Sequence, residues 1–440
     1  MFRISLAVAL LLAIFVENLA AQQSSSTRPT SQRSVSSRLT IEQAVEEAVK
    51  NNLGLLAERV NLTIADASLI TAKLRPNPLL SLGGDHINPA TINNPQAEIS
   101  LRLDVPIETG DKRQRRIDVA EYDKTIAEAQ LLEAIRKLKL EVSRACVDVL
   151  QAKAQLQIVT NTVRLLDELV RLNEVSLQEG SIIPLELTRL RVSMFQFRSD
   201  VRRGELNLIA AKAKLQALLG RKASSEEFDI LGELKEPVVG PTQELTPLVE
   251  LALATRPDWI ALGRQTARAQ SDLKLQLAQA KVDYTVGSEY RRLGFNGGAN
   301  TLGVFFTIPI PLFNRNQGEI ARVTAEHEQL ARQLEARKLE ITLEIRIAWE
   351  EFRSARTLVE SIEQELLASA EQARSISIYL YSTEASTVTD FLETQRAFNE
   401  TLQSYYQDQG DYRRSAMQLN AGVGRDIMQW SVTSVARSEQ

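Results

Sequence analysis

The sequence is short of the side chains that usually carry out chemistry. Its 440 residues include one cysteine, Cys146, and two histidines, His86 and His327. A structural zinc site takes four ligands, mostly Cys and His, so these three residues predict no such site, and a single cysteine excludes an intramolecular disulfide. No GxSxG motif marks a nucleophile. We therefore expect no enzyme, no cofactor and no metal centre, with Cys146 and both histidines as packing or surface residues.

Two carboxylates late in the chain have a spacing that matters for charge. Asp390 and Glu393 stand three residues apart, which places them on one face of a helix. Neighbouring carboxylates create a negative local field that attracts cations. A solvated helix face without further function is the alternative interpretation.

Composition and charge narrow the possible partners. The formal net charge is −4, and the basic run DKRQRR at residues 111–116 is too short to change this balance. We therefore expect no nucleic-acid binding. Aromatic residues make up 5% of the chain. The long tracts of Ala, Leu, Glu, Gln, Lys and Arg favour long helices.

The N-terminus resembles an export signal. Arg3 precedes an apolar run at residues 4–16, and small residues follow it. Thirteen apolar residues are too few to cross a bilayer as a helix. The pattern predicts a signal peptide at residues 1–21, with cleavage near Ala20 or Ala21, and a Ser-rich flexible segment at residues 22–38. No later run reaches 18 apolar residues, so entry into a membrane would require another kind of element.

The chain contains an internal duplication. The segment LDVPIETGDKRQ around Pro106 returns as FTIPIPLFNRNQ around Pro309, an offset of 203 residues, and two further landmarks repeat at offsets of 206 and 204. Agreement this close over long distances indicates two copies of one unit. We predict a first repeat at residues 39–220, a connector at 221–244, a second repeat at 245–426 and a tail at 427–440.

Each repeat is predicted to contain a helix, two strands, a long helix, a turn and a helix. The first helix is expected at residues 40–74, and strands of about 9 to 11 residues are expected at 78–88, 96–106, 281–291 and 301–310. Apolar and polar residues alternate along these strands, so one face suits hydrocarbon and the other suits water. Four strands are too few for a closed barrel, which implies a barrel shared between subunits.

The long helices carry a heptad pattern. In the first repeat the apolar seam begins at Ile135 and Leu138 and continues to Val170, and in the second it runs from Ile341 to Leu366. A helix at residues 111–177 would be about 100 Å long. An elongated periplasmic coiled-coil scaffold would explain these helices, but it leaves the alternating strands unexplained.

Three segments carry a resemblance to a known family: VPIETGDKR, its counterpart IPIPLFNRNQGEIA, and the turn LQEGSIIPLEL. From about Leu39 to Asp426 the chain resembles the outer membrane efflux proteins of the TolC family, nearest to the heavy-metal branch. The resemblance implies a mainly α fold with a membrane β-barrel portion, in which a homotrimer closes a twelve-stranded barrel continued by an α-helical tunnel across the periplasm. It implies an exit duct that works with a periplasmic adaptor and an inner-membrane pump of the resistance-nodulation-division type, set in outer membrane lipid. Metal cations are the implied cargo, and drug efflux and type I protein secretion are the alternatives.

The resemblance also implies roles for the two helical turns at residues 180–186 and 384–390. Carboxylates matching Asp390 and Glu393 would line the closed entrance, and Tyr381 would tether its helix to a neighbouring carboxylate, for which Glu186 is the candidate. The family's accompanying arginine is replaced by Ser386, which implies a weaker closing network, and Glu384 stands where glycine is common. The turn residues expected to contact the adaptor are Gly180, Ser181, Pro184, Glu384 and Ser386.

Overall fold

The structure is a computed structural model that describes residues 37–87, 97–222, 228–235, 238–239, 245–294, 298–383 and 385–430. The chain divides into a small unit, of which residues 37–38 and 228–229 are described, and a large unit that holds all the other residues. The predicted signal peptide lies outside the described residues. Of the predicted flexible segment only its end is described, and it belongs to strand β1 (Ser37–Leu39), which pairs with β4 (Phe228–Ile230).

The first repeat forms four helices, α1 (Ile41–Asn51), α2 (Leu53–Lys73), α3 (Lys112–Gln178) and α4 (Pro184–Leu218). Thr40 begins α1 with a capping box to Gln43. The prediction of one helix over residues 40–74 was wrong, because Asn52 interrupts it in an extended conformation. The Asn52 amide accepts a hydrogen bond from the Leu55 N–H at 3.0 Å and donates to the Leu218 carbonyl at 2.9 Å, which stabilises the break.

The second repeat contains α5 (Leu245–Thr255), α6 (Pro257–Gln279), α7 (Gln317–Ser361), α8 (Leu367–Ser382) and α9 (Val388–Val423). Arg256 separates α5 from α6 with φ −67° and ψ 123°, close to the −62° and 122° of Asn52. The two long helices also begin alike, since Asp111 and Asn316 both have left-handed backbone angles, with φ near 60°. The halves therefore repeat in backbone detail as well as in the order of elements.

One four-stranded antiparallel sheet joins the two halves. Its order is β2 (Leu79–Asp85), β3 (Glu98–Ile107), β6 (Tyr284–Leu293) and β7 (Asn300–Thr307). The short strands β5 (Val238–Val239) and β8 (Gln429–Trp430) pair separately. Strands β3 and β6 have the predicted length but lie one to three residues later than predicted, whereas β2 and β7 are shorter than predicted. Strand β7 stops before Pro309 and Pro311, which have no N–H to donate to a ladder; the predicted end of β2, residue 88, lies outside the described residues.

The two faces of this sheet differ in polarity. Leu101, Leu103 and Val105 of β3 lie exposed on one face, which we call the outer face, while Arg102 and Asp104 lie half-buried on the other, the inner face. Direct pairing puts Val286 of β6 opposite Val105 and Glu289 opposite Arg102, so the same separation continues across the sheet. In β7 the outer residues are Leu302, Val304 and Phe306. The predicted alternation is therefore observed.

The heptad seams account for much of the helical core. From Leu138 to Val170 the seam residues of α3 are buried or half-buried, and the seam of α7 is buried at Ile341, Ile345 and Phe352. The prediction that Leu366 ends the apolar seam was wrong, because its side chain is 50% exposed. A π-helical turn at Ile362–Leu366 separates α7 from α8, and the extra residue in such a turn rotates the following positions out of the seam. No helix in the described parts of the chain has the length and apolar character to cross a bilayer.

Candidate functional site

Two helical hairpins end in turns of similar construction. After α3, Gly180 adopts φ +76° and the Ser181 N–H donates to the Ser176 carbonyl at 2.9 Å, before Pro184 begins α4 in the favoured first position. After α8, the Ala385 N–H donates to the Leu380 carbonyl at 2.9 Å. Glu384, the counterpart of Gly180, lies outside the described residues. Small side chains are exposed in the described part of each turn, at Ser181 and Ala385.

Asp390 is the third residue of α9 and completes a capping box with Thr387. Its carboxylate accepts hydrogen bonds from the Thr387 hydroxyl at 2.8 Å and the Thr387 N–H at 3.3 Å, and the Ser386 hydroxyl lies at 3.4 Å. These hydrogen bonds, chiefly from the Thr387 side chain, hold the pKa of Asp390 below its usual value. The carboxylate is therefore ionised and fixed in position at the start of the helix.

Glu393 follows one turn later on the same exposed side of α9. Phe391 and Leu392, between the two carboxylates in sequence, are buried against the neighbouring helices. The apolar residues thus hold the helix, and both acidic side chains project away from this packing.

Tyr381 contacts a different residue from the predicted one. Its hydroxyl donates to the Asn173 amide oxygen at 2.9 Å, which joins α8 to α3, and no hydrogen bond to Glu186 is found among the described residues. Burial is the main cause of the raised pKa of Tyr381, and the charge of nearby Glu186 adds to it. The predicted tether of Tyr381 to the Glu186 carboxylate is therefore wrong, and a neutral hydrogen bond to Asn173 takes its place. Asn173 was missed because it lies 208 residues away in sequence.

An apolar cluster holds the hairpin ends together. The Tyr381 ring stacks on Phe391 with centroids 5.1 Å apart. Leu166 of α3, Leu190 of α4 and Val388 of α9 pack in the same buried cluster. The Arg189 guanidinium of α4 donates a hydrogen bond to the Thr389 hydroxyl of α9 at 3.2 Å. Contact between the hairpins here depends on apolar packing, on the neutral Tyr381–Asn173 hydrogen bond and on the hydrogen bond from the Arg189 guanidinium.

The cysteine and the histidines are not brought together. Cys146 is completely buried in α3, and burial raises the pKa of its thiol to about 12. His86 lies exposed just after β2, and His327 lies half-buried on α7. Within the described ranges, no group of three His, Cys, Asp or Glu residues is arranged to hold a metal ion. A thiol with so high a pKa is a poor nucleophile near neutral pH.

The inner face of the sheet holds a charged network that sequence reasoning did not single out. Arg102 pairs with Asp104 at 2.9 Å, and its guanidinium lies 4.5 Å from the centre of the Phe305 ring. Arg291 pairs with Glu289 at 2.8 Å and with Glu98 at 3.2 Å. The alternation of β3 predicted a water-facing side, but the contacts of Arg291 with Glu98 and of Arg102 with Phe305 join strands that are distant in sequence.

A second network surrounds the π-helical turn. Glu363 accepts hydrogen bonds from the Tyr405 hydroxyl at 2.5 Å and the Gln409 amide at 3.0 Å, which join the turn to α9. Burial, followed by the Glu363 carboxylate, raises the pKa of Tyr405. The heptad pattern gave no signal for this turn, because a π turn has no sequence signature of its own.

Comparison with known proteins connects this arrangement to outer membrane channels. Residues 44–221 match the family model described as outer membrane efflux protein. The cobalt-zinc-cadmium resistance protein CzcC of Cupriavidus metallidurans is 24% identical over 428 residues, which cover 97% of this chain and 100% of CzcC.

Solved structures of outer membrane channels share the fold. CusC superposes with a TM-score of 0.73 at 20% identity, covering 91% of this chain and 96% of that chain. The CmeC channel of Campylobacter jejuni superposes with a TM-score of 0.71 at 16% identity, covering 88% of this chain and 86% of that chain. The open state of the MtrE channel of Neisseria gonorrhoeae superposes with a TM-score of 0.72 at 12% identity, covering 88% of this chain and 89% of that chain. Residues 44–221 therefore match the outer membrane efflux protein family, and nearly the whole chain resembles CzcC in sequence and these solved channels in fold.

Proposed function

We propose that this protein is the outer membrane exit duct of a tripartite efflux system and conducts its substrate passively to the exterior. The observation that carries the proposal is the sheet, whose outer face is apolar and exposed while its inner face is polar and charged. Such a sheet suits a barrel with lipid outside and water inside. The channel lies in the outer membrane and extends into the periplasm.

Assembly as a homotrimer follows from the number of strands. Strands β2 and β7 stand at the two ends of the four-strand order, and single-chain barrels begin at about eight strands. Three copies supply twelve strands and leave no open edge. Helix α3 has 67 residues and is about 100 Å long at 1.5 Å per residue, which supports a helical tunnel below the barrel. The two repeats at residues 39–220 and 245–426 each contribute two strands to the four-stranded sheet.

The helical turns are the proposed contact with the periplasmic partners. Gly180, Ser181 and Pro184, with Glu384 and Ser386 of the second turn, would face a periplasmic adaptor and, through it, a pump of the resistance-nodulation-division type. Asp390 and Glu393 would line the entrance as a ring of six carboxylates in the trimer. Tyr381 would hold the entrance closed, with Glu186 nearby.

Divalent metal cations are the proposed cargo. The support is the name of the full-length relative CzcC, a cobalt-zinc-cadmium resistance protein, and the exposed acidic pair at the proposed entrance. Drug efflux and type I protein secretion are the competing assignments. A strain that lacks the gene should become sensitive to cobalt, zinc or cadmium and regain resistance from a plasmid copy. Sensitivity to drugs with unchanged metal tolerance would reject the metal assignment and retain the duct.

Assembly is tested on the purified protein. The mature chain should fractionate with the outer membrane, resist extraction by salt and run as a trimer in mild detergent. Chemical crosslinking and light scattering measure the number of copies. A salt-extractable monomer would contradict the duct and favour a periplasmic scaffold.

A further inference from the structure

The loop between β7 and α7 exposes three large apolar side chains. Ile310, Leu312 and Phe313 are 75%, 66% and 89% exposed. Pro309 and Pro311 restrict the backbone of this loop, and the Gln317 amide donates to the Phe313 carbonyl at 3.0 Å. The loop is therefore held locally while its apolar side chains have no covering partner within the described chain. Contiguous exposed apolar groups of this kind mark an interaction surface.

An open groove lies at the opposite edge of the sheet. It measures about 810 Å³ and runs between residues 75–78, which lead into β2, and residues 105–114 at the β3–α3 junction. Pro76, Pro78 and Val105 give it apolar walls. Its volume lies in the range that accommodates a drug-sized molecule, so several side chains fit within it.

Two arginines line this groove without a carboxylate partner among the residues that the structure describes. Arg113 donates from Nε to the Lys73 carbonyl at 2.7 Å, and Arg75 is exposed. A guanidinium beside an apolar wall is well suited to the face of an aromatic ring. The groove thus combines apolar walls with cations that favour an aromatic occupant.

Phe313 is not among the residues that line the groove of its own chain. Strands β2 and β7 are the opposite edges of a four-stranded sheet, three strand spacings or about 14 Å apart. All three strand pairs are antiparallel, so the end of β7 and the start of β2 lie at the same rim. If β7 of one copy pairs with β2 of the next, the exposed loop of the first copy leaves its strand beside the groove of the second.

We infer that Phe313, with Leu312, inserts into the groove formed by residues 75–78 and 105–114 of a neighbouring copy. This inference rests on the proposed trimer and deepens it. The insertion covers the exposed ring, fills the groove and places the Arg75 and Arg113 guanidinium groups against an aromatic face. The insertion fixes the junction between neighbouring copies at the rim of the barrel where the strands end and the helices begin.

Cysteine crosslinking tests the insertion in the intact protein. In a Cys146→Ala background, Asn77→Cys is combined with Phe313→Cys, and membranes are treated with an oxidant or a short bismaleimide. The expected result is conversion of the monomer band to crosslinked dimers and trimers in denaturing gels. Each single-cysteine variant should stay monomeric there. The matched control, Asp85→Cys with Phe313→Cys, should not crosslink, because Asp85 is at the far end of β2, about 25 Å away.

The alternative occupant, membrane lipid around Phe313, gives a different result. Phe313→Trp should show fluorescence that brominated phosphatidylcholine in vesicles does not quench. Strong quenching, or a stable trimer in which positions 77 and 313 fail to crosslink, would overturn the insertion and leave the duct intact. A wild-type protein that remains monomeric in the membrane would overturn both.

Discussion

At the scale of single residues, Asp390 has a structural role and a proposed electrostatic one. Its carboxylate completes the capping box of α9, and with Glu393 it faces away from the apolar packing. A cap needs an oxygen acceptor, whereas an electrostatic role needs the charge. Substitutions that keep the acceptor and remove the charge separate the two roles.

Asp390→Asn with Glu393→Gln should weaken cation selectivity and block by multivalent cations, because six carboxylates leave the proposed entrance of the trimer. Single-channel recording in planar bilayers measures both. Helix content should be unchanged, since the asparagine amide oxygen can still accept the hydrogen bond from the Thr387 N–H. In the wild type, the lowered pKa of Asp390 should keep its carboxylate contributing to selectivity near pH 4, where an ordinary Asp is about half protonated. Unchanged selectivity in the double variant would leave these residues as a solvated helix face.

Tyr381→Phe should loosen the contact between α8 and α3. The change removes the hydrogen bond to Asn173 and keeps the stacked ring, so we expect a loss of about 0.5–1.5 kcal/mol of stability. Channel openings in planar bilayers should become more frequent. Tyr379→Phe is the matched control, because Tyr379 lies exposed on the same helix. Equal effects of both substitutions would contradict a latch at Tyr381.

At the scale of elements, the sheet and the π turn show where a pattern of apolar residues continues and where it ends. The period of two along β3 continues through β6 and β7, because paired residues share a face. The period of the α7 seam ends at the π turn, where Glu363 is held by Tyr405 and Gln409 of α9. Local patterns therefore persist until a tertiary contact changes the backbone.

The two faces of the sheet should respond differently to the same new charge. Leu101→Asp or Val304→Asp places a carboxylate on the outer face and should impair insertion into the membrane. A basic residue at the bilayer midplane costs about 2–4 kcal/mol, and we expect a carboxylate there to cost no more than this. Ser100→Asp, on the inner face opposite Arg291, should be tolerated. The yield of trimer in the outer membrane fraction is the measurement. Equal damage from all three substitutions would reject the assignment of the faces.

At the scale of the whole molecule, Arg256 connects elements that are far apart in sequence. Its side chain is 1% exposed and binds Asp258 of α6 at 2.8 Å, Glu344 of α7 at 2.7 Å and the Gly422 carbonyl of α9 at 3.1 Å. Arg337 of α7 also binds Asp258, at 2.7 Å. These two arginines hold the pKa of Asp258 well below its usual range, against the opposing effect of burial.

Asp258→Asn should destabilise the protein by about 3 kcal/mol at pH 7, because it leaves a buried arginine short of a partner. The folded-state pKa is depressed, so the wild-type carboxylate stabilises the fold above the unfolded pKa, near 4. That stabilisation is lost as pH falls further, and the variant should show a flatter loss below about pH 4. Thermal unfolding across pH is the measurement. Glu340→Gln, which removes only an exposed partner of Arg337, should cost less than about 1 kcal/mol; an equal cost would contradict a special role for Asp258.

The sequence by itself determined the features that depend on neighbouring residues. Alternation along β3 assigned its two faces, heptad spacing placed α3, and the repeated segments around Pro106 and Pro309 indicated two units. Each of these is a period or motif within one stretch of chain, where side-chain direction follows from local backbone geometry. The same segments carried the resemblance to the family.

The tertiary structure alone decided the contacts between distant segments. Asn52 breaks a predicted helix because Leu218 lies beside it, Tyr381 binds Asn173 instead of Glu186, and Glu363 sits in a π turn that ends the seam. None of these partners is fixed by sequence spacing, since a hydrogen bond across 166 or 208 residues forms only after packing has brought both groups together. Local periodicity therefore set the elements, and the packed helices and paired strands set which side chains meet.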